Sequence, residues 1–438
     1  MSQAPAWKDT ILLPKTDFPM KADLAKREPD QLQRWEKDRI YHRILEARAG
    51  QKPFVLHDGP PYANGNIHHG HALNKILKDV VIKYHGLRGR YAPNVPGWDC
   101  HGLPIEQKVD EELGGKKREL DPIEFRKRCR AYAERYIGIQ RDQFRRLMVF
   151  AEWERPYKTM DFDYEASIVR AVGDFMARGY VFKGLKPVHW SWSAVTALAE
   201  AEVEYEPYTA PSVYVRFALP NAPAWLRAAA GGRAIDVVIW TTTPWTLPSN
   251  VAIALNPELE YQLVGDCKLP ELPTLLTFAG EQLVGPLAGP WPRLPARHPF
   301  IDRDSVLVPA AYVTLDQGTG CVHTAPGHGE EDFETGLKFG LPVLTPVDKY
   351  GRYTDEVPDY VGKHVFETNP VIAARLEASG RLLNKAGDTY LVARYPHCWR
   401  TKKPLIFRAT EQWFVGVDRN DLRKRSLDAI GATQWIPH

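Results

Sequence analysis

Cysteine is scarce in this chain. Cys100, Cys129, Cys267, Cys321 and Cys398 are scattered without a C-x-x-C pair, which argues against a disulfide framework and against a cysteine-rich zinc site. No apolar run approaches the length that spans a bilayer, and the first ten residues, MSQAPAWKDT, carry no apolar signal core. A cytoplasmic protein with no membrane partner is expected. An excess of one charge is also missing. The formal net charge of +3 is too small to point to nucleic acid unless basic residues cluster locally. Internal repeats and low-complexity tracts are absent too.

What is present is organised around Phe54 to Tyr84. Phe54-Val55-Leu56 reads as a short strand, and Gly59-Pro60-Pro61 and Asn64-Gly65 punctuate a turn. Leu73, Ile76, Leu77, Val80, Val81 and Tyr84 then fall at helical spacing. His68, His69 and His71 stand at the start of that helix. Such a start offers unpaired N–H groups and a positive dipole end, which suits phosphate. Gly70 would let a nucleotide approach the backbone, and His68 and His71 could donate to its phosphate oxygens. Two other readings stay open at this point: histidines that only cap the turn, and a histidine metal site.

At 438 residues the chain has room for about two to four domains. Residues 1–28 read as extended, broken by Pro5, Pro14 and Pro19, with a helix from Pro29 burying Leu32, Trp35, Ile40 and Ile44. Pro93 to Glu106, PNVPGWDCHGLPIE, reads as a functional loop. Within it Asp99 could pair with a ligand ammonium or simply begin a turn, and Cys100-His101 raises the weaker reading of a thiol nucleophile. Asp121 begins a long helix whose arginines form either a solvated face or a stripe facing RNA. Beyond residue 200 short β-type segments take over: Val213–Phe217, Asp236–Trp240, Val306–Val308 and Thr319–Thr324. Pro270 to Pro299 is loop-like. Thr241, Thr242 and Thr243 end one such strand and could hold a water or a ribose hydroxyl. Gly318-x-Gly320 lacks the third glycine of a dinucleotide loop. His323, His328 and Asp332 could bind metal, or Asp332 could anchor an ammonium group.

PPYANGNIHHGH resembles the HIGH motif of the class I aminoacyl-tRNA synthetases. With GWDCHGLPIE, ALAEAEVEY, WTTTPWTLPSN, GTGCVHTAPGHGEEDF and YPHCW…FRATEQWF, the chain is similar to the isoleucyl-tRNA synthetases from Asp17 onward. The resemblance implies an α/β fold: the first half of a Rossmann-like catalytic domain with an inserted β-rich editing domain. The expected segments are an N-terminal extension and helix at 1–50, the catalytic half at 51–199, the editing insertion at 200–395, and a return toward the catalytic domain at 396–438. It implies activation of L-isoleucine with ATP and Mg2+, transfer to tRNA(Ile), and hydrolysis of misacylated valyl-tRNA(Ile), in a monomer. His68, Gly70 and His71 match the family's catalytic, ATP-binding positions, flanked by Pro61, Asn64 and Gly65. Pro60 matches the amino-acid pocket, and Asp99 the group that binds the substrate ammonium. Thr241, Thr242 and Thr243 match the editing strip, His323 its sieve, and Asp332 the acid that grips the amino group.

Three departures qualify these expectations. His69 stands where the family often has isoleucine. Ser191 and Ala194 replace a C-x-x-C pair, and Cys398 has no partner, so zinc is not expected. No KMSKS-like loop occurs, Arg423-Lys-Arg-Ser426 being too weak a match, and the expectation is a chain truncated before that loop without full activity. A stand-alone editing or RNA-binding fragment is the alternative, and a histidine-cluster metal hydrolase a weaker one.

Overall fold

The computed structural model describes residues 11–12, 17, 21–259, 261, 263–264, 278–279, 293–314, 316, 318–384 and 390–436. Pro5, Pro14 and Pro19 and most of the Pro270–Pro299 stretch, with Cys267, lie outside them. The chain divides into two compact units, residues 1–173 and 174–438.

In the first unit α1 (Leu24–Lys37) and α2 (Ile40–Ala47) precede α3 (His69–Leu87). The first helix starts five residues before Pro29, which sits inside it. Leu32, Trp35 and Ile40 are half-buried and Ile44 is exposed. After α3 come β1 (Gly97–Trp98), α4 (Leu103–Glu112), α5 (Pro122–Arg146), β2 (Tyr157–Lys158) and α6 (Phe162–Ala177), whose end passes into the second unit. Parallel pairing runs across three segments. Phe54 donates to the Tyr91 carbonyl, Ala63 and Asp99 tie 61–63 to 99, and β1 lies parallel to β2. Helix α3 joins the first two segments, a βαβ connection of the kind a Rossmann-like half requires. The expected strand at Phe54–Leu56 is reduced to a bridge, because this stretch pairs only around Pro53 and Phe54. Gly97 is obligatory: a Cβ there would lie 2.0 Å from the Tyr157 ring.

Helix α3 corrects an expectation. Its apolar residues share a face, but Leu73, Ile76, Leu77, Val80, Val81 and Tyr84 are exposed, and Lys75, Asp79 and Ile82 are buried instead. The inward face is held by charge rather than oil. Lys75 and Lys78 pair with buried Asp58, while Asp79 accepts the Phe150 N–H at 2.9 Å and pairs with Lys83.

Asp121 does begin α5, as its N-cap: the carboxylate accepts from the N–H groups of Ile123 and Glu124. The helix buries Phe125, Tyr132, Ala133, Ile137, Gln140 and Phe144. Its arginines are mostly spent inside the protein. Arg128 pairs with Glu124, Arg130 with Glu165, Arg135 with Glu112, Arg145 with Glu36 and Glu154, and Arg146 with Glu28.

The second unit contains β3 (Val181–Ser191), β4 (Thr196–Leu198), β5 (Val203–Pro211), β6 (Val213–Ala218), α7 (Ala224–Ala229), β7 (Asp236–Thr241) and β8 (Ala252–Leu255). Then follow β9 (Leu263–Val264), β10 (Phe278–Ala279), β11 (Pro295–Arg297), β12 (Asp304–Pro309), β13 (Cys321–Thr324) and α8 (Glu330–Phe339). The last elements are α9 (Val365–Ala378), β14 (Tyr390–Cys398), β15 (Ile406–Val415) and α10 (Leu422–Gly431). Two antiparallel ribbons, β3 with β15 and β5 with β14, tie 181–211 to 390–415. Between them lies a six-stranded sheet in the order β13-β8-β12-β11-β6-β7. Strand β8 lies second in that order, between β13 and β12, and is buried on both faces. Ile253 and Leu255 join the larger core with Val215, Phe217, Ile239 and Leu376, while Ala252 and Ala254 face a smaller cluster with Val308 and Val313. This is period-two alternation with both faces apolar. Each large side chain so buried contributes roughly 1.5–3 kcal/mol. The outer strands also approach one another, for the Thr319 hydroxyl donates to the Val238 carbonyl at 2.7 Å.

Candidate functional site

Each unit holds one constellation. In the first, His68 is the N-cap of α3. Its Nδ1 accepts the Gly70 N–H at 3.1 Å and the His71 N–H at 3.4 Å, and His71 Nδ1 accepts the His68 N–H at 3.3 Å. Helix-start donors that the sequence offered to phosphate are therefore partly consumed by the cap itself. The cap also fixes chemistry. With both Nδ1 atoms accepting, the proton of each neutral ring sits on Nε2. Burial, and then His68, hold His71 below the usual imidazole range. This site therefore presents neutral N–H donors. Gly70 is needed for a local reason: a Cβ there would meet the His68 ring at 3.0–3.1 Å.

The turn before the cap is held from α5. Fully buried Gln140 donates to the carbonyls of Tyr62 at 3.0 Å and Gly65 at 2.7 Å, and accepts from the Trp98 indole at 2.9 Å. Tyr132 donates to the Asn64 carbonyl, and Gln143 bridges Ile67 and Asn66. Pro60 and Pro61 are half-buried. Asp99 exchanges backbone bonds with Pro61 and Ala63, while its carboxylate accepts the His101 N–H at 3.3 Å. The structure thus pairs Pro61 and Ala63 in parallel with Asp99, and Asn64 and Gly65 follow in the bend that leads to the cap. Burial pushes the Cys100 thiol up to about 11, which removes it as a nucleophile. Gln140, Gln143, Asp58 and Lys75 escaped sequence reasoning. The available signal was polar side chains interrupting apolar stripes.

In the second unit Thr241 ends β7 and a 3-10 turn, Pro244–Ser249, follows. The Thr241 hydroxyl accepts the Thr243 N–H at 3.1 Å and lies 3.2 Å from the Thr243 hydroxyl, which lies 3.3 Å from that of Thr246. Thr242 is half-buried beside them. His323, on β13, meets Thr246 Oγ1 through Nε2 at 2.8 Å and Asn250 Nδ2 through Nδ1 at 2.7 Å. Burial drives His323 down to about 3, so the ring is neutral near pH 7. Asp332 stands in the first turn of α8 and accepts the Ala325 N–H at 2.8 Å. Burial raises its carboxyl to about 6. The threonines and His323 are therefore joined directly, while Asp332 reaches the same loop through the residue two past His323.

The metal reading finds no support in these contacts. His328 is spent between the Ser249 hydroxyl at 2.9 Å and the Phe407 carbonyl at 2.8 Å. No three His, Cys, Asp or Glu side chains gather as a metal site requires among the described residues. At the position of the missing cysteine pair, Ser191 contacts Ser193, which contacts Thr401 at 2.9 Å, and Cys398 is fully buried. One thiol among hydroxyls does not fit zinc. Gly318 and Gly320 adopt φ of 77° and 72° in the turn that enters β13, a backbone need that accounts for both.

The family model described as tRNA synthetases class I (I, L, M and V) matches residues 30–438. Among curated relatives, the isoleucine–tRNA ligase of Nitratidesulfovibrio vulgaris (strain DP4) is 51% identical over 98% of this chain and 47% of its own length. Those of Kosmotoga olearia and Moorella thermoacetica are each 49% identical over 98% of this chain and 46% of theirs. The chain spans about half the length of the curated relatives it matches. A solved LeuRS–tRNA–LeuAMS complex of Agrobacterium radiobacter K84 is 18% identical with a TM-score of 0.37, covering 88% of this chain and 49% of that one. That likeness is too loose to carry weight. No described helix is long and apolar enough to cross a membrane.

Proposed function

The chain belongs to the class I tRNA synthetases of the isoleucine, leucine, methionine and valine group, and on that premise we propose that it carries part of the synthetic site and the editing site of an isoleucine–tRNA ligase. In the first unit His68 and His71 donate from Nε2 to ATP phosphate oxygens. Pro61, Asn64, Gly65 and Gly70 shape the turn beside the nucleotide, Pro60 lines the isoleucine side chain, and Asp99 takes the ammonium group. The isoleucine carboxylate attacks the α-phosphorus and pyrophosphate leaves; a terminal ribose hydroxyl of tRNA(Ile) then attacks the acyl carbon, the acyl–phosphate C–O bond breaks, and AMP leaves. Mg2+ bound with the ATP would neutralise part of the phosphate charge. The protein acts in the cytoplasm as a monomer.

Residues 51–199 carry the synthetic half and 200–395 the editing domain, with 396–438 leading back and 1–50 preceding them. A single apolar pocket discriminates one methylene poorly, and isoleucyl-tRNA synthetase is itself the usual illustration of that rule. A second site is the remedy. There Thr241, Thr242 and Thr243 hold the water and ribose, His323 excludes the larger isoleucyl side chain, and Asp332 grips the amino group. Water attacks the ester carbonyl, the acyl–ribose C–O bond breaks, and one water proton ends on the departing ribose oxygen.

The observation that carries the synthetic assignment is the reciprocal cap, which leaves two Nε2–H donors on neighbouring rings at one helix start. Equilibrium binding of a non-hydrolysable isoleucyl-adenylate analogue tests it. Binding should weaken on replacing His71 with alanine and should be outcompeted poorly by the leucyl analogue. Absence of binding, or indifference to the side chain, would overturn the assignment.

A further inference from the structure

Beneath the threonines runs a hydrogen-bond chain whose direction can be read atom by atom. Ser305, on β12, and Asn250 are both fully buried. The Asn250 amide nitrogen lies 2.9 Å from the Ala252 carbonyl, so that end must be the donor, independently of anything else it touches. Its oxygen therefore faces Ser305, whose hydroxyl donates to it. The same amide nitrogen donates to His323 Nδ1 at 2.7 Å, which places the proton of the neutral ring on Nε2. That N–H can only donate to Thr246 Oγ1, 2.8 Å away. The Thr246 proton goes to the Thr243 carbonyl at 2.8 Å. Thr246 is thus an acceptor toward the Thr243 hydroxyl, and Thr243 in turn toward Thr241. All three hydroxyl protons are committed, and lone pairs remain to face a ligand.

We propose that Asn250, its amide oriented by the Ala252 carbonyl and braced by the Ser305 hydroxyl, is a positioning residue: it fixes the proton of His323 on Nε2 and so makes the threonine strip an array of acceptors. Such an array recognises donors, namely a water, a ribose hydroxyl or an ammonium group. A water held there donates its O–H to threonine and keeps a lone pair free to attack the ester carbonyl. The reversed chain would donate to the same water, tie up one of its lone pairs and make it a poorer nucleophile. This inference rests on the hydrolytic reading of the pocket, but the proton's place does not.

The test uses two variants of the full chain and two readouts. Long-range 1H–15N spectra, with His323 assigned by loss of its signals in H323Q, report which ring nitrogen is protonated. Deacylation of valyl-tRNA(Ile) reports the water. The unmodified protein should show the Nε2–H tautomer. Asn250→Asp offers His323 only an acceptor, so the proton should move to Nδ1 or the ring become doubly protonated, and kcat should fall roughly a hundredfold with KM nearly unchanged. Ser305→Ala should keep the Nε2–H tautomer, because the Ala252 carbonyl still orients the amide. Should N250D not fold, the tautomers of the unmodified protein and of S305A decide. An Nδ1–H tautomer in either of these, or an N250D protein keeping both signature and rate, would overturn the relay. If the unmodified protein shows Nε2–H but hydrolyses no ester, the relay stands and the hydrolytic reading falls.

Discussion

The rings of His68 and His71 lie face to face, centroids 3.8 Å apart, and each Nδ1 accepts the backbone N–H of the other residue. One interaction therefore caps helix α3 and sets the tautomers of both rings. Stability and ligand binding are coupled at this turn but can be separated by substitution.

Asparagine at position 68 is a good N-cap but lacks the imidazole Nε2–H. His68→Asn should hold the thermal midpoint near that of the unmodified protein, whereas His68→Ala costs about 1 kcal/mol of stability. Both should weaken ATP binding by about tenfold, or about 1.4 kcal/mol. Calorimetry of unfolding beside ATP titration checks this, and an H68N protein that binds ATP normally would show that the cap is all His68 provides.

Gln140 holds three groups of the turn and strand while wholly shielded from water. Gln140→Leu should destabilise the protein by roughly 3 kcal/mol, since it strands two carbonyls and an indole N–H. Denaturant unfolding measures the loss. A cost below about 1 kcal/mol would mean that the turn finds other partners.

Asp58 and Lys75 form a buried pair, their side chains 3% and 8% exposed, with Lys78 beside them. Burial lowers Lys75 to about 8, so the amine stays charged at pH 7 and needs its partner. Asp58→Ala should cost about 3–5 kcal/mol, and Asp58→Ala combined with Lys75→Met distinctly less, because the double change removes the buried amine and leaves only the more exposed Lys78 unpaired. A double-mutant cycle with no coupling would contradict this.

Asp332 makes stability depend on pH in the less usual direction for a carboxylate. Its folded value, about 6, lies above the ordinary 3.8, so the folded state favours the protonated acid. Stability from this group is present below pH 4 and is lost as pH rises toward 6, by about 3 kcal/mol. Asp332→Asn should remove that dependence, so the difference between the two proteins grows over this window and then levels. Because the carboxylate is the form that grips an ammonium group, deacylation should rise through pH 6.

Local pattern and long-range contact explain what the sequence could and could not reveal. Strands β6, β7, β12 and β13 were legible because short runs rich in β-branched and aromatic residues stand between Pro and Gly turns, and the capped start of α3 because the turn residues cluster. Helical spacing identified which residues of α3 share a face, but not that Lys75 and Asp79 would turn inward while Leu73 and Val80 stay exposed. That choice depends on Asp58 and Phe150, which are distant in sequence. The same holds for the threonine strip, whose histidine and serine lie 73 and 55 residues from Asn250. Family motifs supplied His323 and Asp332; Gln140 showed only as a polar side chain interrupting an apolar stripe, and no local signal marked Ser305.

The most direct measurement of the account is deacylation of tRNA(Ile) charged with valine or with isoleucine, using the purified chain and its Asp332→Ala variant. The account predicts hydrolysis of valyl-tRNA well above the spontaneous rate, isoleucyl-tRNA spared, and the valyl activity abolished in D332A. Equal hydrolysis of both esters, or a valyl rate that D332A leaves unchanged, would contradict it.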